Sequence, residues 1–127
     1  PRSTLGVSSA ASDVYKRQVL RWYSFSLLED MSDKRSIADL IFDNKGNLWS
    51  AATSDPGNDG PFETRLFRIG QMSKKGSFSL ARPMRSSKTF ENEKVEAMTT
   101  YKNGILLLTD NENFGSSRYF INTNKLL

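Results

Sequence analysis

Two short acidic loops hold the residues best suited to chemistry. Asp55 and Asp59 lie in SDPGND, and Asp110 and Glu112 lie in DNEN. Hard cations such as calcium take about six to eight oxygen ligands from carboxylates, amides and backbone carbonyls, and both loops offer Asp and Asn or Glu oxygens on a flexible backbone. The plainer reading is that Asp, Asn, Gly and Pro are turn formers; neither loop has the spacing of an EF-hand. A second charge cluster is basic. Between Thr64 and Phe90 there are seven cationic side chains (Arg65, Arg68, Lys74, Lys75, Arg82, Arg85 and Lys88) and no acidic ones. Phosphate binding uses such charge, but here only Phe67, Phe78 and Phe90 are interleaved with it. Edge strands also carry Lys and Arg to discourage edge pairing, and strand alternation scatters such side chains over two faces. Nucleic acid is therefore not an expected partner.

Composition removes several chemistries. Cysteine and histidine are both absent, so this chain has no disulfide, no thiolate or imidazole metal site and no Cys or His catalyst. There is no Gly-rich phosphate loop and no G-x-S-x-G elbow. The longest apolar run, Ile105 to Leu108, is four residues, far short of a membrane span. Lack of cysteine fits cytoplasm and periplasm equally; a periplasmic or secreted location is the working expectation.

The elements that must position these residues read as strands. Ile37 to Asp55, IADLIFDNKGNLWSAATSD, reads as an apolar strand, a polar DNKGN turn and a second apolar strand; Asn and Gly tolerate positive φ in the turn. This predicts one strand over Ile37–Phe42 and a return strand over Leu48–Thr53. The Pro- and Gly-punctuated segment Ser54–Phe62 is a loop. Thr64–Ile69 and Ser77–Arg82 supply two further strands, with a turn over Gly70–Gly76 and a charged, irregular connector over Pro83–Lys94. Val95 to Glu112, VEAMTTYKNGILLLTDNE, then repeats the opening unit: its turn glycine Gly104 lies 58 residues after Gly46. Val95 and Met98 take the places of Ile37 and Leu40, Leu106 and Leu107 those of Leu48 and Trp49, and Arg118–Ile121 that of Leu66–Ile69. Helical spacing is not sustained for more than a turn. Val19–Leu28, rich in β-branched and aromatic residues, is a predicted strand. Trp49, Phe42, Phe67, Tyr119 and Phe120 are candidate core between sheets. The fold class is all-β, with antiparallel four-stranded meander sheets.

Residues 1–18 read differently from the rest. Ser8–Gln18, SSAASDVYKRQ, resembles the translation of a transposase-based sequencing adapter, and Pro1–Thr4 resembles the upstream flow-cell adapter in the same frame. The expectation is an artefact over 1–18, an authentic sequence from Val19, and a natural N-terminus and any signal peptide lying upstream. Without Arg2, Asp13, Lys16 and Arg17 the formal charge falls from +4 to +2.

IADLIFDNKGNLWSAAT, with its D-x-x-G-x-L-W turn, resembles the first two strands of a β-propeller blade. KVEAMTTYKNGILLLTDNENFG is similar to the same unit in phytase-like esterase and gluconolactonase-like propellers, with Ala97 in place of the glycine that follows Glu96. The resemblance covers about 90 residues and implies about two blades of an incomplete propeller, since a ring takes roughly four or more. On this reading 19–28 ends an earlier blade, 37–82 is one blade and 95–127 a partial or final one. The implied partners are upstream blades of the same chain and a small-molecule ligand. A propeller also brings Asp39 and Glu96, at the starts of the inner strands, near the central channel. Glu96, Asp110, Glu112, Asp55 and Asp39 are then the candidate ligands of calcium or another divalent cation. Two functions follow: a binding scaffold with a loop-lined rim, or part of a metal-dependent hydrolase in which metal-activated water attacks a phosphoester or lactone.

Overall fold

The computed structural model describes residues 21–25, 34–57 and 59–127. They are all-β apart from two single 3-10 turns, and they form two antiparallel sheets. The first sheet contains β1 (Ser36–Phe42), β2 (Asn47–Ser54) and β3 (Glu63–Met72), closed by β4 (Phe78–Leu80) and β5 (Ser86–Glu91). β4 pairs with the end of β3 and β5 with its beginning, both antiparallel. Together they make one interrupted fourth strand, so the sheet is a four-stranded meander. The interruption contains Pro83, which has no N–H to give to a ladder. The second sheet is three-stranded, in the order β6 (Val95–Tyr101), β7 (Gly104–Thr109) and β8 (Arg118–Asn122).

Three expectations need correction. The connector expected over Pro83–Lys94 contains β5, because SSKTFE has one strongly apolar position and pairs by backbone. The turn expected from Gly70 begins later: β3 runs to Met72, and Gly70 sits inside it because a Cβ there would lie 2.3 Å from Ser79 O. The second sheet has three strands, not four. The adapter-like stretch 1–18 lies outside the described residues, as does half of Val19–Leu28. The described part, Arg21–Phe25, forms no strand; it crosses the face of the first sheet, where Tyr23 Oη donates to Phe78 O at 3.1 Å.

The two sheets pack face to face. Trp49, Ala51, Leu66 and Phe90 of the first and Val95, Met98, Ile105 and Leu107 of the second form one buried cluster. Phe67 is buried on the opposite face of the first sheet, with Ala52 and Ile69; Phe42 and Phe120 remain exposed. Burying each large apolar side chain contributes about 1.5–3 kcal/mol, so this interface is the main source of cohesion. Polar contacts set its register. Asp39 Oδ2 accepts the Met98 N–H at 2.7 Å, joining β1 to β6, and Thr64 Oγ1 accepts the Val95 N–H at 3.1 Å.

The repeat is visible in detail. The β1–β2 pairing slips by a bulge between Ile37 and Asp39, and the β6–β7 pairing slips between Val95 and Ala97. These positions are separated by the same 58 residues as the turn glycines. A bulge at one place in both hairpins is a backbone feature that apolar spacing does not require.

The first hairpin turn is organised by Asp43. Its carboxylate accepts N–H bonds from Lys45 N, Asn47 N, Asn47 Nδ2 and Trp49 Nε1, each 2.9 Å long. Gly46 follows at φ +82°, and a Cβ there would lie 2.6 Å from Met72 O. The D-x-x-G-x-L-W pattern is therefore a buried carboxylate, a left-handed glycine and the indole that the carboxylate orients. Burial pushes the Asp43 carboxyl up, but the bonds from Trp49, Asn47 and Lys45 outweigh it, and its pKa lies below the ordinary value. Asp43→Ala leaves these donors unpaired and is expected to lower stability by about 2–3 kcal/mol at pH 7, read by urea unfolding. A depressed folded pKa stabilises fully above the unfolded value near 3.8 and progressively less as pH falls through the folded one. The gap between wild type and variant should therefore narrow on acidification below that value. A gap that is absent at pH 7, or that widens in acid, contradicts this role.

Candidate functional site

Three connections meet at one rim: the β2–β3 loop, the short β5–β6 link Asn92–Lys94, and the β7–β8 loop with its 3-10 turn Glu112–Phe114. Both long loops open on an Asp that closes a turn on the backbone two residues on. Asp55 Oδ1 accepts the Gly57 N–H at 3.0 Å, and Asp110 Oδ1 accepts the Glu112 N–H at 3.1 Å. The loops touch through Asn113 Nδ2, which donates to Asp59 Oδ1 at 2.6 Å.

The link between the sheets is held on both sides. Asn92 N donates to Phe62 O and Lys94 N to Asn111 Oδ1, both at 2.8 Å, while Lys94 O accepts the Asp110 N–H at 2.9 Å. Asn111 Nδ2 donates to Glu93 Oε2 at 2.5 Å, and the Tyr119 hydroxyl donates to Glu93 Oε1. Burial pushes the Glu93 carboxyl up, but the bonds from Tyr119, Asn111 and Thr109 bring it below the ordinary range. The bond to Glu93 raises the Tyr119 phenol in turn.

With its backbone fixed, Lys94 extends its ammonium into the acidic cluster. Nζ lies 3.0 Å from Asp55 Oδ2, 3.0 Å from Glu112 Oε1 and 3.6 Å from Glu96 Oε1, and 5.4 Å from the centre of the Phe62 ring. The hydrogen bonds to Asp55 and then Glu112 raise the Lys94 pKa, and the same contact, with the Gly57 N–H, lowers that of Asp55. An ammonium so paired stays protonated at neutral pH, which removes it as a base or nucleophile.

The five candidate ligands therefore do not form one donor set. Asp55, Glu96 and Glu112 converge, but on a lysine. Asp39 and Asp110 bond backbone N–H groups, Asp39 between the sheets and Asp110 within its own loop. Among the described residues, no group of three or more His, Cys, Asp and Glu side chains is placed to hold a metal ion. The residues do not fit a calcium site, whose donors are oxygens, with an ammonium in their midst. Sequence reasoning missed Lys94, Glu93 and Asn111. The one local signal was EKVE at the start of the second unit, where hairpin pairing sets Lys94 beside Asp110 at the opening of the β7–β8 loop. The seven cationic residues are spread over β3, the β3–β4 turn, the strand interruption and β5; Arg65 pairs with Glu63 at 2.8 Å and Lys88 lies over the Phe90 ring.

Beside this cluster, Asp59, Gly60, Pro61, Phe62, Asn92 and Phe114 line a cleft of about 530 Å³. Asp59 at φ 60° and Asn92 at φ 59° are left-handed non-glycine residues on its wall, and Glu112 at φ 54° stands next to it. Asp and Asn tolerate this region in turns. Phe114 is 73% exposed. No known family matches this chain, and neither the curated proteins nor the solved structures contain a significant match to it.

Two outcomes test the cluster. In Lys94→Met, the Asp55 carboxyl should titrate higher than in wild type, towards its ordinary value, by NMR. Calcium titration should leave the amides of Asp55, Glu96 and Glu112 unmoved in wild type and shift them in the variant. An unchanged Asp55 titration, or calcium shifts in wild type, contradicts the lysine as resident cation.

Proposed function

We propose that the two sheets are successive blades of a propeller-type stack and that the protein is a binding scaffold, its ligand site being the rim cleft between the β2–β3 and β7–β8 loops. The single observation that carries the reading is the cleft itself. Three separate connections converge on a concave site of about 530 Å³, within the usual range of small-molecule pockets. Its walls combine apolar and polar groups: Phe62, Phe114 and Pro61 offer apolar surface, and Asn92 and Asp59 offer amide and carboxylate edges. That chemistry suits a small ligand with one apolar face and a hydrogen-bonding edge. The position of Asp59 and Asn92 supports it, because Asn113 Nδ2 donates to Asp59 Oδ1 and Asn92 N to Phe62 O, which holds both residues on the wall. The hydrolase alternative gains no support, since the carboxylates it requires are engaged with Lys94 or with backbone N–H groups.

The test is a ¹H–¹⁵N NMR screen of the chain against a library of small amphipathic compounds. Binders should shift the amides of Asp59, Gly60, Phe62, Asn92 and Phe114 together, and Phe114→Ala should weaken them about tenfold while leaving the fold unchanged. Binders that shift only residues outside the cleft, or a Phe114→Ala chain that binds equally well, would sink the reading.

A further inference from the structure

The stack has two unlike open faces. In the first sheet Leu40 and Ser50 are directly paired, and Leu48, Phe67 and Ile69 lie on the same side, away from the second sheet. In the second sheet Leu106 pairs with Phe120 and Leu108 with Ala97, on the side away from the first. Leu40, Leu108 and Phe120 are 44%, 45% and 46% exposed. On the first sheet Phe67 and Ile69 are already buried with Phe25, Phe78 and Leu80, and the exposed part of the face is Leu40 and Phe42, both 44% exposed; exposed apolar groups on a sheet face mark an interaction site.

The internal repeat says what such a face receives. Phe42 pairs with Leu48 and Thr100 with Ile105; the second turn is one residue shorter, so the match expected from the glycines, Leu106 and Leu107 with Leu48 and Trp49, slips by one: Leu48 and Ser50 correspond to Ile105 and Leu107, and Trp49 and Ala51 to Leu106 and Leu108. Ile105 and Leu107 are the residues the second sheet lays on the first; Trp49 and Ala51 are among those that receive them. The open face of the first sheet is thus the kind the second already uses for docking, and the open face of the second is the kind the first uses for receiving. The Tyr23–Phe25 segment covers part of the former and leaves an apolar groove of about 240 Å³ walled by Phe42, Leu48, Ile69 and Phe78.

We infer that a second copy of this chain docks head to tail: the open face of its first sheet, with Leu40 and Leu48, seats on the Leu106, Leu108 and Phe120 face of its partner, repeating the internal contact between copies. This rests on the two sheets being successive units of one stack. The contact is heterologous, so each face meets the other kind and not itself.

Light scattering coupled to size exclusion tests it. The wild-type chain should show a mass rising with concentration to at least twice the 14.3 kDa of one chain. Leu40→Glu and Leu108→Glu, both at exposed positions that leave the internal core intact, should each be monomeric alone. Mixed in equal amounts they should form a dimer that grows no further, since one contributes an intact receiving face and the other an intact docking face. A wild type that stays monomeric, a single variant that still dimerises, or a mixture that does not associate overturns the inference. None of these results bears on the NMR screen of the cleft.

Discussion

The structure depends on one contact, the apolar face of the first sheet against that of the second. The first sheet buries a smaller cluster of Ala52, Phe67 and Ile69 on its other face, but a sheet face exposed to water loses what burial contributes, and the larger cluster lies between the sheets. Trp49, Leu66 and Phe90 on one side and Val95, Ile105 and Leu107 on the other share one buried cluster. Apolar contact alone has little directional preference, so polar stitches fix how the sheets meet. Asp39 reaches across to Met98 N, and Thr64 both accepts from Val95 N and donates to Glu93 O. The Thr53 and Thr64 hydroxyls lie 2.7 Å apart within the same buried seam.

The rim follows from that seam. Once Glu93 and Lys94 are held between the sheets, both acidic loops are brought beside the Lys94 side chain, and their negative charge is met from within the chain. The cluster is then a fastening between loops and the neighbouring cleft is the open space they enclose. Exposed ion pairs contribute little individually, of the order of 1 kcal/mol or less, so this cluster positions the loops more than it stabilises the fold.

Much of this was legible in the sequence, for physical reasons that differ by element. Turn chemistry placed the first hairpin, where Asp43 and the left-handed Gly46 leave few alternatives; Gly104 lies just past the second turn, in β7, where a Cβ would lie 1.9 Å from Ile121 O of β8. Alternation located β3 and β4, apolar segments on either side of the DNKGN turn located β1 and β2, and the repeat of that unit located β6 and β7. Alternation failed for β5, where SSKTFE carries too little apolar pattern to announce a strand that backbone pairing to β3 creates. It failed for Val19–Leu28 over its described part because strand-forming composition does not specify an edge to pair with. At the site, Asp55, Glu96 and Glu112 stand around Lys94, and spacing along the chain is blind to which cation sits among them. Lys94 was hidden because its partners are 39 residues before it and 18 after it in sequence.

Two sheets joined face to face through one buried cluster should open as one cooperative unit. Native-state hydrogen exchange measures this directly. The amides of Val95 and Met98, bonded to Thr64 and Asp39 of the first sheet, should exchange with the same opening free energy as the central amides of β2 and β3. Exchange of the whole β6–β8 sheet at a markedly lower free energy, with β2 and β3 still protected, would contradict it.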